Sequence, residues 1–451
     1  MKCKVGMVSL GCPKNQVDAE MMLERLRQDG YKLCEDAAMG DVAIVNTCGF
    51  IESAKSESIE EILEISKLKK EGKIKAIIAT GCLAERYRTD VLEEIPEVDG
   101  IVGIGAYDRI CEAVERVLAG EKVALFGEKE EMPLEGGRVL TNLPYYAYLR
   151  IADGCDNRCS YCAIPLIRGG FRSRKMENII EEAQSLAKDG IKELIVVAQD
   201  TTRYGEDIYE KNMLPELLDK LCEIDGIEWI RLLYCYPDRV TDALLDTMAR
   251  QKKICKYMDI PMQHCNREVL KNMNRRGDYD SLLALVKHIR EKVPGITLRT
   301  TMMVGFPGET RDQLLELARF VREAKFERLG CFMWSAEEDT PAYDMPGRIS
   351  EKEQQRRFDI IMNEQSRVVD EWVESMMGKT ITVATEGFDR LAECCFGRSA
   401  ADAPDIDGKV FFTTNGKKLT VGDMVRVHIH ENMDCDLIGE LVEEDEDESA
   451  E

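Results

Sequence analysis

Tyr146-Ala147-Tyr148-Leu149-Arg150-Ile151, followed at once by Ala152-Asp153-Gly154-Cys155-Asp156-Asn157-Arg158-Cys159-Ser160-Tyr161-Cys162, joins an apolar run to a C-x3-C-x2-C loop. The run predicts a buried parallel strand, with the loop just past its end. Five further apolar segments follow, separated by helical spacing: Glu193 to Ala198, Trp229 to Tyr234, Tyr257 to Pro261, Thr297 to Val304 and Leu329 to Trp334. Six strand–helix units fall short of the eight in a full TIM barrel. Residues 142–377 therefore predict a partial TIM-like (β/α)6 barrel, closing with one long charged helix over 350–377. The C-terminal strand ends of such a barrel carry its chemistry, which sets the cysteine loop at the mouth.

Three thiolates on one tight loop can each ligate a different iron of a [4Fe-4S] cube. The fourth iron then stays open to bind and reduce a substrate-like cofactor. Structural zinc wants four protein ligands, and no fourth Cys or His sits in the loop. The plain alternative is three buried or zinc-bound cysteines.

Residues 1–118 repeat a strand-then-helix rhythm, with strands at Lys4 to Leu10, Asp41 to Asn46, Lys73 to Thr80 and Val98 to Ile104 and a first helix over Asn15 to Gln28. That alternation predicts an α/β doubly wound parallel sheet. Cys12, Cys48 and Cys82 each fall just past a strand, and such ends share one edge of an open sheet, so the three can converge on one crevice. Gly11, Gly49 and Gly81 beside them would let backbone approach a bulky inorganic group. Plain burial is the competing reading, since cysteine is among the most buried residue types. Residues 119–141, rich in glycine and charge, read as a linker. From Gly378 the pattern turns to short alternating runs, including Ile381 to Val383 and Met424 to Val427, with Asn415-Gly416 as a hairpin turn. A small β-barrel of the oligonucleotide-fold type fits residues 378–442. Residues 443–451 read as a frayed acidic tail.

Length and composition are those of a globular protein of about three domains. Lys and Arg number 61 against 85 Asp and Glu in the 451 residues, a net charge of -24, which disfavours default binding to phosphate backbones. The 17 cysteines come with no signal-peptide stretch and no long apolar run, so the expected location is the reducing cytoplasm, away from any membrane. Lesser candidates sit at later strand ends. Gln199-Asp200 and Gln263-His264 could reach into the mouth or cap the following helix. Gly305, in Gly305-Phe306-Pro307-Gly308-Glu309, could contact a ligand or simply form a turn. That run lacks the Lys-Ser/Thr ending of a phosphate-binding loop. His428 and His430 share one strand face and read as surface residues.

The cysteine loop after the first strand of a six-unit barrel resembles the radical S-adenosylmethionine superfamily. The three cysteines ahead of it and the β-barrel behind it, of the TRAM type, extend the resemblance to the methylthiotransferases over essentially the whole chain. Ser9-Leu10-Gly11-Cys12-Pro13-Lys14-Asn15, Asp259 to His264 and Asn274-Arg275-Arg276-Gly277 are similar to the branch acting on ribosomal protein uS12 rather than the tRNA branch. The resemblance implies two [4Fe-4S] clusters. The one on Cys155, Cys159 and Cys162 binds S-adenosylmethionine and cleaves it reductively. The other, on Cys12, Cys48 and Cys82, holds the sulfur that is passed to the β-carbon of a uS12 aspartate. It also implies a reducing donor such as flavodoxin or ferredoxin and sets Tyr161 against the adenine; Tyr161 and the strand-end residues Gln199, Gln263 and Gly305 are the candidate cofactor contacts. Charge points the same way: over 378–442 seven Lys and Arg stand against eleven Asp and Glu, which suits a cationic protein and not tRNA.

Overall fold

The computed structural model describes residues 2–414 and 416–442. Asn415 of the expected hairpin turn and the tail over 443–451 lie outside the described residues. The first sheet holds β1 (Lys4–Ser9), β2 (Lys32–Cys34), β3 (Val42–Thr47), β4 (Ala76–Gly81), β5 (Gly100–Val102) and β6 (Val123–Leu125), in the order β2-β1-β3-β4-β5-β6. Every pairing in it is parallel. β3 and β4 are buried along their whole length, which is why both read as continuous apolar runs rather than alternating ones.

The segment 119–141 is more than a linker. β6 forms the sheet's edge, and Met132 and Leu134 pack onto the same core. Three residues among glycines and charges give too short a pattern to register, and natural edge strands are often that short.

The second sheet is built of β7 (Tyr146–Arg150), β10 (Glu193–Val197), β11 (Trp229–Leu232), β12 (Ile254–Asp259), β13 (Thr297–Val304) and β14 (Arg328–Met333), ordered β14-β13-β12-β11-β10-β7 and parallel throughout. It is the expected six-stranded partial barrel. Two short antiparallel strands, β8 (Ala152–Asp153) and β9 (Arg172–Ser173), clamp the base of the cysteine loop. Alternate strand residues face opposite ways. Ala147, Leu149, Leu194 and Val196 pack beneath the helices. Tyr146, Tyr148, Ile195, Val197 and Tyr257 instead join Val17 and Met21 of the Pro13–Gln28 helix and Ala384 and Ala403 of the C-terminal barrel. Lys14, Val17, Asp18 and Met21 recur at helical spacing, so one face of that helix is wedged against the barrel interior.

The closed C-terminal barrel runs β15 (Thr380–Asp389), β16 (Cys394–Ser399), β17 (Val410–Thr413), β19 (Asp436–Leu441) and β18 (Met424–Met433). β17 pairs with β16 and, in parallel, with β19 rather than with β18, so β17 and β18 are not hairpin partners. Its loops and β16 dock on the core. Arg328 reaches Asp402 at 2.5 Å, Tyr257 donates to Asp407 at 2.7 Å, and Arg398 meets Glu193 at 2.7 Å. Among the described residues no helix is long and apolar enough to cross a membrane.

Candidate metal centre

The loop Cys155–Cys162 is sewn into place by backbone groups and one short helix end. Cys155 N donates to Gly169 O at 3.2 Å, Ser160 N to Met273 O at 3.0 Å, and Ser160 Oγ to Asn272 O at 2.7 Å. Asn274, itself left-handed at φ 56°, donates to Arg158 O at 2.9 Å. Arg275 Nη1 then lies 3.6 Å from Cys159 Sγ, with its guanidinium 4.2 Å above the Tyr236 ring, and Tyr236 Oη is 3.7 Å from the same sulfur. Burial pushes the Cys155 thiol up to about 11, with the charges of Asp200 and Cys159 adding to it. It pushes Cys162 further, with both other thiols of the loop within charge range. An iron group bound here would have to displace those protons. The donor set of three sulfurs in mutual range on a fixed loop fits a cube with one uncapped iron.

The second trio forms where β1, β3 and β4 lie side by side. Ser9 is opposite Asn46 and Thr47 opposite Gly81, so Cys12, Cys48 and Cys82 emerge together at one sheet edge. Cys12 also occupies the N-cap position of the Pro13–Gln28 helix, its thiol making no capping bond, and Cys82 begins the Cys82–Tyr87 helix. Asn15 and Asn46 lace the loops. Asn15 Nδ2 donates to Leu10 O at 2.7 Å and Thr47 O at 3.2 Å, and Asn46 Nδ2 to Asn15 O at 2.7 Å. Burial lifts Cys48 above its ordinary value and Cys82 to about 12; the charge of Cys12 adds to the first, and those of Cys48 and Cys12 to the second. These sulfurs too fit a cube with one iron left open.

The glycines act differently from expectation, because what they admit is a neighbouring loop. A Cβ on Gly11, whose φ is +88°, would stand 2.8 Å from Cys48 Cβ and 3.0 Å from its Sγ. One on Gly49 would meet Leu83 backbone at 2.7 Å. Gly11→Ala is therefore expected to cost about 1–3 kcal/mol through left-handed strain and displacement of Cys48. In an anaerobic preparation it should bind distinctly less iron than the wild type while keeping its helical circular-dichroism signal. Unchanged iron would show that Cys48 need not sit where it does.

A buried ion network joins the two trios. Arg150 contacts Asp18 and lies 3.3 Å from Asp153, while Arg168 reaches Asp153 at 2.9 Å and Asp18 at 2.7 Å. Arg168 Nη2 is also 3.8 Å from Cys82 Sγ, and Asp153 stands two residues before Cys155. A second clamp lies at Glu337, where Arg86 binds at 2.6 Å and also donates to Gly49 O at 3.0 Å, beside Cys48.

The lesser candidates divide. Gln199 Nε2 donates to Asp153 at 2.7 Å, and its buried Oε1 has no partner among the described residues. Asp200 takes the capping role, accepting from Thr202 N and from Asn157. Gln263 is left-handed at φ 72° and bridges β13 through its backbone, and His264 turns into the core, where its Nδ1 accepts from Cys265 and Asn266 N. Gly305 is held by Gln354 of the long Glu351–Met376 helix, which donates to its carbonyl at 3.2 Å. Tyr161 packs on the barrel core in charge range of Cys159 and Arg275. Nothing in the sequence marks Asn46 or Tyr236 as site residues, and Asn15 stands out there only within a branch-like motif. The Asn274-Arg275 pair likewise stands in the sequence only as a branch-like motif without a role.

Three family profiles match the chain: Radical SAM superfamily over residues 149–321, Uncharacterized protein family UPF0004 over 4–103, and TRAM domain over 377–442. The Ribosomal protein uS12 methylthiotransferase RimO of Pelotomaculum thermopropionicum is 49% identical over 444 residues, covering 98% of this chain and 100% of its own. The protein of the same name from Lachnoclostridium phytofermentans is 47% identical over 439 residues, covering 97% and 99%. Among solved structures, the radical S-adenosylmethionine methyltransferase TsrM of Kitasatospora setae is similar in fold, with a TM-score of 0.56 at 15% identity over 76% of this chain and 77% of its own.

Proposed function

The chain belongs to the ribosomal protein uS12 methylthiotransferases, and on that premise we propose that its two thiol trios hold two separate [4Fe-4S] clusters and that its target is the β-carbon of a uS12 aspartate. It is a radical S-adenosylmethionine enzyme of the sulfur-transferring class, with S-adenosylmethionine and iron–sulfur clusters as its cofactors. Cys155, Cys159 and Cys162 hold the cluster that engages S-adenosylmethionine. Cys12, Cys48 and Cys82 hold the auxiliary one. When bound, these groups supply a one-electron cleavage and a sulfur donor, which a C–H bond beyond the reach of side-chain bases at neutral pH requires.

The chain's own residues position and enclose. Arg275 and Tyr236 set the Cys159 sulfur, while Asn15 and Asn46 hold the three N-terminal loops together. The buried Asp18–Arg150–Asp153–Arg168 network fixes one trio relative to the other, and it is the observation that carries this reading. Gln199, with its unpartnered Oε1, and Tyr161 are the S-adenosylmethionine contacts at the mouth, with Gln263 and Gly305 shaping its wall. The electron donor is of the flavodoxin or ferredoxin kind, the location is the cytoplasm, and the acidic C-terminal barrel turns away tRNA. Incubating the reduced, cluster-loaded enzyme with S-adenosylmethionine and either purified uS12 or bulk tRNA tests the assignment. Mass spectrometry should find one methylthio group on a uS12 aspartate and none on tRNA. Transfer to tRNA alone would overturn it.

A further inference from the structure

Nine Lys and Arg residues are buried as whole residues among the described ones, and eight of them meet a carboxylate within 4.0 Å. Lys14 is the ninth. It is 6% exposed, and its ammonium stands 3.3 Å from the centroid of the Tyr234 ring with no carboxylate among the described residues in salt-bridge reach. Burying a cation is costly unless an anion answers it, and a cation–π contact replaces only part of the lost hydration.

Its position suggests what answers it. Lys14 lies on the face of the Pro13–Gln28 helix that enters the barrel, two residues after Cys12 and within its charge range. Tyr234 stands past the C-terminal end of β11, left-handed at φ 61°, with its N–H tied to Asp259 at 3.1 Å. The ring therefore presents a fixed wall on the mouth side, and the ammonium lies between the auxiliary trio and that mouth.

We propose that Lys14 is a substrate-binding residue that pairs with the β-carboxylate of the target aspartate. This rests on the uS12 reading above. A carboxylate held by Lys14 sets the β-carbon one bond away from a fixed anchor, beside the thiols that would carry the sulfur donor. An ammonium buried in this way recognises an anion and rejects a neutral side chain or base, so the same contact supplies specificity.

A double-mutant cycle on the cluster-loaded enzyme tests the pairing. Wild type, Lys14→Met and Lys14→Arg are each titrated with uS12 and with uS12 whose target aspartate is changed to asparagine. Binding is read by anisotropy, and iron content and substrate-free S-adenosylmethionine cleavage are measured alongside. The wild type should bind the asparagine form about tenfold or more weakly. Lys14→Met should bind both forms alike, and Lys14→Arg should keep much of the discrimination, with iron and substrate-free cleavage unchanged in both. Equal discrimination by wild type and Lys14→Met would overturn the proposal. So would a loss of iron in Lys14→Met, which would make Lys14 a counter-ion of the auxiliary site. If the wild type modifies no aspartate of uS12, the underlying reading fails first, and that result is distinct from either outcome of the cycle.

Discussion

Replacing Cys155, Cys159 and Cys162 together by alanine is expected to remove about half of the iron and to bring both S-adenosylmethionine cleavage and uS12 methylthiolation to background. The fold should survive, because the loop is held by bonds that alanine leaves intact. Ser160 N to Met273 O, Ser160 Oγ to Asn272 O and Asn274 to Arg158 O involve no cysteine side chain. The matching replacement of Cys12, Cys48 and Cys82 should also take about half of the iron, yet leave cleavage running while sulfur transfer stops. That asymmetry is the informative part: one trio governs cleavage and transfer, the other transfer alone. Anaerobic iron determination with product chromatography reads both. If the N-terminal replacement changes neither iron nor transfer, the auxiliary cluster does not exist.

Arg168→Met should be the most damaging single change outside the cysteines. Asp18 and Asp153 are each 1% exposed or less, and the substitution would leave both to the one remaining guanidinium of Arg150. Breaking a buried pair from one side costs about 3–5 kcal/mol, because an uncompensated charge stays behind. The loss should appear as early deuterium uptake in the Pro13–Gln28 helix and at β8, ahead of the rest of the chain. Methylthiolation should fall by about tenfold or more, because the trios are no longer held in register, while S-adenosylmethionine cleavage persists. Adding Asp18→Asn to Arg168→Met removes the stranded charge and should recover part of the stability. Uptake and transfer indistinguishable from wild type would show that the network fixes nothing.

The sequence made the main architecture legible where strands are long and buried on both faces. Thr297–Val304 is β13 residue for residue, and β3 and β4 fall within a few residues of their expected limits. It failed at β2 and β6, three residues each, where neither period nor burial accumulates enough signal. Six of the site residues stood out because a cysteine at a strand end is a strong and local sign. Lys14, Asn15, Arg168 and Arg275 did not, since each acts on a partner that tertiary packing delivers from elsewhere in the chain. Charge was legible in total but not in direction. Asp402 and Asp407 count towards the acidity of the C-terminal barrel, yet both are buried against Arg328 and Tyr257 of the core. Part of that balance glues the two parts together instead of facing a cationic partner.

The helix wedged into the barrel has a bearing on how such a molecule could be taken apart. Cut free at residue 142, the radical-generating half would carry two naked guanidinium groups, Arg150 and Arg168, with only Asp153 left to share between them. Its partner half would keep Asp18 with no cation at all. Neither fragment is an independent part to be transplanted into another scaffold, so swapping target specificity between relatives by exchanging whole front ends calls for moving both sides of that quartet together.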